Sequence, residues 1–123
     1  MEYAIENEYL IVTVTTWGAQ VKSVVRKFDD VEHMWQADKS VWGYHAPILF
    51  PHTGKVVDDL IETKGEVYQA KQHGFARLME HTLVLQTEDT IVMELRSSEE
   101  TLRIFPYAFR LVSTFTLDGD EAA

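Results

Sequence analysis

The stretch FRLVSTFTL, residues 109–117, carries the clearest structural signal in the sequence. Its odd-numbered positions hold Phe, Leu, Ser, Phe and Leu, while Arg110, Thr114 and Thr116 stand between them. Successive side chains of a strand point to opposite faces of a sheet, so this alternation predicts a half-buried β-strand.

The same period of two recurs in several shorter stretches before it. Residues 60–62 and 66–68 flank Thr63-Lys64-Gly65, which predicts a hairpin with Gly in its turn. Short strands of this kind indicate an all-β protein, an antiparallel β-sandwich. The apolar positions that we predict to share a face in each strand are Leu10, Val12 and Val14; Ala19, Val21 and Val25; Leu83 and Leu85; and Ile91, Met93 and Leu95.

Two other segments interrupt the strand pattern. Ser97 and Glu100 have the spacing of a capping box, which predicts one or two helical turns that end by Pro106. The apolar residues 48–50 lie between Pro47 and Pro51, and we interpret them as a rigid strand that ends in a loop. With no linker or repeat, residues 1–123 are expected to form a single domain.

The composition excludes several classes of function. A net charge of −9 over 123 residues argues against nucleic acid or an anionic membrane as a partner, and no apolar run is long enough to span a membrane. A neutral small molecule is compatible with the charge, which otherwise keeps the protein soluble. The absence of cysteine excludes disulfides and thiolate chemistry. Together with an acidic N-terminus unlike a secretory signal, it favours a cytoplasmic protein.

The segment of residues 35–77 is dense in aromatic side chains, histidines and prolines. In irregular chain such a mixture is typical of a binding surface, and an aromatic plug of the core beneath a long loop is the alternative. Composition alone does not decide between them.

Within that segment, His73-Gly74-Phe75-Ala76-Arg77 is the strongest candidate for chemistry. An imidazole transfers protons near neutral pH, and the guanidinium of Arg77 suits polarised oxygens. A lone histidine is nevertheless more often structural. Lys55 is a second candidate, although a solvated lysine is the commoner case. The sequence has no phosphate-binding Gly-rich loop and no metal-ligand spacing of histidines, so we expect neither a cofactor nor a metal.

A series of motifs resembles the aldose 1-epimerase (galactose mutarotase) family, in particular its LacX-like branch, from about residue 5 to about residue 119. In chain order the motifs are Asn7-Glu8-Tyr9-Leu10, Trp17-Gly18-Ala19-Gln20, Met34-Trp35-Gln36, Trp42-Gly43, Ala46-Pro47-Ile48-Leu49-Phe50-Pro51, His73-Gly74-Phe75-Ala76-Arg77, Glu99-Glu100-Thr101-Leu102 and Phe105-Pro106-Tyr107. The resemblance implies the N-terminal part of a β-supersandwich that interconverts the α and β anomers of an aldose of the galactose or glucose type, without a cofactor.

The resemblance also assigns roles to particular residues. His73 matches the family histidine that hydrogen-bonds the sugar near its ring oxygen and counts as catalytic, and Arg77 matches the arginine that closes the motif. Trp42, Phe75 and Lys55 are expected to contact the substrate. Two positions depart from the family, since Lys55 stands where many relatives have Gly-Arg, and His52 replaces a more usual apolar residue.

The second histidine and the glutamate to which the family's acid and base roles are assigned lie later in its chain, and no residue here matches them. A complementary C-terminal half would supply what is missing, and the strand edges left open without it would also favour self-association. A non-catalytic carbohydrate-binding or structural module is the alternative function. A reduced reaction by His73 and Lys55 alone is the third hypothesis.

Overall fold

The computed structural model describes residues 1–34, 36, 46–52, 57–63, 65–71 and 73–122, and almost all of its regular structure is antiparallel β-sheet. The strands are β1 (Glu2–Glu6), β2 (Leu10–Thr15), β3 (Gln20–Arg26), β4 (Val31–Glu32), β5 (Leu60–Thr63), β6 (Glu66–Gln69), β7 (Thr82–Gln86), β8 (Thr90–Arg96), β9 (Arg110–Asp118) and β10 (Glu121–Ala122). The helices are two 3₁₀ turns, Val57–Asp59 and Ala76–Leu78, and the short α1 (Glu99–Leu102).

Two four-stranded sheets pack face to face and enclose the main core. One has the order β1-β2-β3-β4 and the other β10-β9-β8-β7, while β5 and β6 form a separate hairpin. The predicted antiparallel sandwich and the predicted hairpin are therefore confirmed. The core contains one buried set of side chains from both sheets: Ile5, Leu10, Val12, Val14, Ala19, Ile91, Met93 and Leu117.

A β-bulge changes the predicted pattern in β3. Thr13 pairs with Ser23 and Val14 pairs with Val21, so Lys22 is an extra residue in the ladder. One extra residue reverses which side chains face the core beyond it. The core-facing residue is consequently Val24, packed beside Val21, and the prediction that Val25 shares the face of Val21 is wrong.

A second bulge has the same effect in β7. Leu83 pairs with Met93 and Leu85 pairs with Val92, which leaves Val84 as the extra residue. Leu83 packs against the core, but Leu85 has 49% of its surface exposed. The prediction that Leu83 and Leu85 share a buried face is therefore wrong, for the same physical reason as in β3.

The helix prediction is confirmed in position, but its cap is different. The Thr101 N–H donates to the Ser98 hydroxyl at 3.3 Å, and the Ser98 N–H donates to the Thr101 hydroxyl at 2.8 Å. The reciprocal cap is thus Ser98 with Thr101, one residue later than the predicted pair of Ser97 and Glu100. A Thr hydroxyl accepts the bond that a Glu carboxylate accepts in the commoner motif.

Residues 47–49 form no strand, contrary to the prediction. Phe50 alone makes a bridge, parallel to Gly74, and the 3₁₀ turn Ala76–Leu78 follows that bridge. The apolar side chains of Ile48 and Phe50 pack instead against a second buried cluster around Phe75. This contact joins the motif of residues 46–51 to the motif of residues 73–77.

Candidate functional site

The candidate site begins where the Phe50-Pro51 segment meets the His73-Gly74-Phe75 segment. The N–H groups of Phe75 and Ala76 both donate to the Phe50 carbonyl oxygen, at 2.9 and 3.3 Å. Gly74 has φ of +77°, and a Cβ on it would fall within contact distance of the Phe50 carbonyl and 2.7 Å from Pro51 Cδ. Only glycine allows this approach without a shift of the backbone.

Two further contacts fix the far end of the same segment. The Gly18 N–H donates to the Met79 carbonyl at 2.7 Å, and a Cβ on Gly18 would lie 2.7 Å from the Arg77 carbonyl oxygen. The buried His81 ring donates from Nε2 to the Ala76 carbonyl at 2.9 Å. Burial lowers the pKa of His81, which favours the neutral ring. The segment is therefore held at its backbone along its whole length.

Four phenylalanine rings pack this segment against the chain between α1 and β9; they belong to Phe50, Phe75, Phe105 and Phe109. Phe50 lies 6.0 Å from Phe75, 6.0 Å from Phe105 and 5.1 Å from Phe109, measured between ring centroids. Edge-on and tilted pairs at such distances are favourable. Part of the aromatic middle segment is thus a core plug, as one of the two interpretations held.

A cleft of about 370 Å³ opens on the other side of these rings. It lies between the hairpin β5–β6, the segment of residues 74–79 and the chain that follows α1. A hydrogen bond between the Thr63 and Tyr107 hydroxyl groups joins two of these walls. The residues that line the cleft are Pro51, His52, Thr63, Tyr68, Gln69, Ala70, Lys71, Gly74, Phe75, Leu78, Met79, Glu100, Ile104, Phe105, Pro106 and Tyr107.

The walls of the cleft are mainly apolar and aromatic, with a few polar groups. The Tyr68 hydroxyl donates to the Glu66 carboxylate at 3.1 Å, and partial burial together with that bond raises the pKa of Tyr68. Both ring nitrogens of His52 are buried, and neither has a hydrogen-bond partner among the residues described.

The predicted site residues have different positions relative to this cleft. Phe75 lines it, and so does Gly74 of the same motif. His73 lies partly buried in the turn before the 3₁₀ helix, with φ of +62°, and Arg77 lies partly buried within that helix. Neither His73 nor Arg77 belongs to the described lining of the cleft. Lys55 and Trp42 lie outside the described residues.

Sequence reasoning assigned no site role to several residues that line the cleft. Leu78, Glu100 and Ile104 were not proposed as binding residues at all. The motif Phe105-Pro106-Tyr107 appeared only as part of the family resemblance, although all three of its residues line the cleft. The sequence signal for a binding role was the pair of aromatic residues, Phe105 and Tyr107, just after the predicted helix.

In the described part of the chain, no group of three or more His, Asp or Glu side chains is placed to hold a metal ion. Among the same residues, none of the helices is long and apolar enough to cross a membrane.

Comparison with known proteins agrees with the motif series. The sequence profile of the family described as aldose 1-epimerase matches residues 1–122. Two LacX proteins of Lactococcus lactis subsp. lactis, plasmid and chromosomal, are each 34% identical to the chain over 124 residues. The match covers 97% of this chain but 41% of LacX, so the chain spans about two fifths of the length of these relatives.

Solved structures show the same relation. The chain is similar to a galactose mutarotase related enzyme from Lactobacillus acidophilus, with a TM-score of 0.95 and 37% identity over 96% of this chain and 39% of that one. It is also similar to a galactose mutarotase-like protein from Lactobacillus casei ATCC 334, with a TM-score of 0.95 and 32% identity over 99% of this chain and 42% of that one. The predicted mutarotase-like architecture is therefore confirmed, and the chain belongs to the aldose 1-epimerase family.

Proposed function

We propose that this chain is the part of an aldose 1-epimerase that carries His73, and that it takes part in interconverting the α and β anomers of an aldose of the galactose or glucose type. The observation that carries the proposal is the family match over residues 1–122. The rigid backbone around the His73 motif supports it, because two N–H groups that follow His73 are held by the Phe50 carbonyl.

The reaction needs two proton transfers. A base removes the proton of the anomeric hydroxyl while an acid protonates the ring oxygen, after which the ring opens, rotates about C1–C2 and closes on either face. In the proposed arrangement His73 hydrogen-bonds the sugar near its ring oxygen. Arg77 supplies hydrogen-bond donors from the same segment, and Phe75 packs beneath the sugar. Neither reaction step requires a cofactor.

We further propose that both the acid and the base of these proton transfers come from outside this sequence. The chain spans 41% of the length of LacX, and no residue in it matches the later histidine and glutamate of the family. A complementary chain segment, or a partner chain paired at a strand edge, would supply them. The isolated chain is accordingly expected to bind sugar weakly and to catalyse its mutarotation little or not at all.

Polarimetry tests this proposal. A chimera that carries residues 1–122 of this chain in place of the corresponding part of LacX is expected to accelerate the mutarotation of freshly dissolved α-galactose or α-glucose. His73→Ala in the chimera should reduce the rate roughly 100-fold or more, as expected for loss of a donor that stabilises the charge developing near the ring oxygen. His33→Ala, at an exposed histidine, is the control. A folded chimera whose rate does not depend on His73 would refute the assignment.

Polarimetry also separates the other hypotheses. A rate above buffer for the chain alone, lost with His73→Ala, would establish independent catalysis. A folded chimera that binds sugar but shows no rate would favour the non-catalytic carbohydrate-binding module.

A further inference from the structure

His81 is a buried titratable residue that the proposed reaction does not use. Only 2% of its surface is exposed, and its Nε2 atom lies 2.9 Å from the carbonyl oxygen of Ala76. A carbonyl oxygen accepts hydrogen bonds and never donates them, so Nε2 must carry a hydrogen. Nδ1 is buried without a hydrogen-bond partner among the described residues, so a second ring proton would find no acceptor there. The surroundings therefore require a neutral ring with its proton on Nε2.

The backbone that carries this ring is fixed to the first sheet. The His81 N–H donates to the carbonyl oxygen of Thr16 at 2.7 Å, and the residues beside these two, Trp17 and Glu80, form an antiparallel bridge. Thr16 directly follows β2 and is itself buried. The His81 side chain thus reaches from the end of a core strand to the 3₁₀ turn Ala76–Leu78.

Both peptide groups on either side of the Arg77 Cα are held from outside their own turn. The carbonyl before it, that of Ala76, accepts from His81, whereas the Met79 N–H reaches the same oxygen at 3.4 Å, which is long for such a bond. The carbonyl after it, that of Arg77, lies against Gly18, where a Cβ would approach to 2.7 Å. Planar peptides on both sides determine the φ and ψ of a residue, and these in turn restrict its side-chain rotamers.

We propose that His81 is a positioning residue that directs the guanidinium of Arg77. The effect on the reaction rests on the proposed function, in which Arg77 supplies hydrogen-bond donors, but the positioning itself does not. A guanidinium is a planar fork of donors on a long stem, so a small rotation of the preceding peptide displaces its donors from the oxygen that they address. A displacement of about 1 Å can lower a rate roughly 100-fold.

The first test follows Arg77 by NMR in the full ¹⁵N-labelled chain, without any sugar. His81→Phe keeps an aromatic ring but removes the donor, and it should shift both the Nε–H and the backbone amide signals of Arg77. His81→Gln restores an N–H donor and should bring these signals back toward their original positions. Gln86→Met is the matched control, because it removes another side-chain donor to a backbone carbonyl, that of Ala4, also at 2.9 Å. It should leave the Arg77 signals in place.

The second test is polarimetry on the chimera that carries residues 1–122. His81→Phe should lower kcat roughly 10- to 100-fold while KM changes by less than about twofold, because aligned donors act mainly on charge that develops in the transition state. His81→Gln should recover most of that loss. In a chimera that already carries Arg77→Ala, His81→Phe should lower kcat by less than about twofold, because its effect passes through Arg77. An equal loss in both backgrounds would show a general structural role and overturn the proposal.

Two results in the chain without sugar would also overturn it. One is a His81 ring that is charged at neutral pH or carries its proton on Nδ1, which the ¹⁵N shifts of the unmodified chain report even if His81→Phe does not fold. The other is a folded His81→Phe chain whose Arg77 signals are unchanged. Failure of the proposed function has a different signature, namely a His73-independent rate in the chimera while the Arg77 signals still depend on His81.

Discussion

Gly74→Ala is the perturbation that most directly tests how the two main motifs are joined. Gly74 has φ of +77°, a left-handed conformation that costs an alanine about 1–2 kcal/mol. The new Cβ would also collide with the Phe50 carbonyl, and relief of that contact requires the two segments to separate. Separation weakens the bonds from the Phe75 and Ala76 N–H groups, each contributing about 0.5–1.5 kcal/mol. The total expected loss of stability is about 2–5 kcal/mol.

Gly65→Ala is the matched control for that experiment. Gly65 has φ of +75°, but nothing lies within 4 Å of the position of a Cβ on it. It should therefore show the conformational cost of about 1–2 kcal/mol without the collision. Urea denaturation followed by tryptophan fluorescence measures both free energies of unfolding. If Gly74→Ala costs no more than Gly65→Ala, the close approach of the two segments is wrong.

Three other predictions concern stability. Met93 is completely buried between the sheets, so Met93→Ala should cost about 2–5 kcal/mol in urea denaturation, and a cost below about 1 kcal/mol would contradict its place in the core. Ser98→Ala removes the acceptor for the Thr101 N–H and should cost about 1 kcal/mol, whereas Ser98→Thr, which keeps a hydroxyl at the cap, should cost less. Burial lowers the pKa of His81 in the folded chain, so below its ordinary value of about 6.5 the unfolded chain binds more protons. Stability should therefore fall as the pH is lowered below about 6.5, and a folded His81→Gln variant with the same slope would refute this origin.

The strands could be predicted because each of them buries one face. In β2 the buried residues are Leu10, Val12 and Val14, and in β8 the same alternation runs through Ile91 and Met93. Burial of every second side chain leaves a clear period in the sequence. The hairpin could be predicted as well, because a turn there needs a residue with positive φ, and Gly65 provides it.

The incorrect predictions concern features that leave no periodic pattern in the sequence. A bulge adds one residue to a ladder, and no particular residue type marks its position in β3 or β7, so Val25 and Leu85 were assigned to the wrong face. The cap at Ser98 uses a threonine where glutamate is the commoner partner.

The candidate site was only partly visible in the sequence. The His73 motif stood out through its residue types and its family resemblance. The cleft depends on long-range contacts between the β5–β6 hairpin and residues 104–107, which no local pattern encodes. For the same reason the burial of the His52 ring nitrogens could not be predicted from the sequence, which shows only that a histidine stands where the family more usually has an apolar residue.

The central claim is that this chain contributes His73 to an aldose site, and one titration tests it most directly. D-galactose and D-glucose are added separately to the ¹⁵N-labelled chain, and the His73 ring signals are followed by NMR, with His73→Ala to assign them and exposed His33 as internal reference. The account predicts saturable shifts at His73 with at least one of the two sugars and none at His33. Unmoved His73 signals in the folded chain, up to roughly 0.1 M of either sugar, would contradict it.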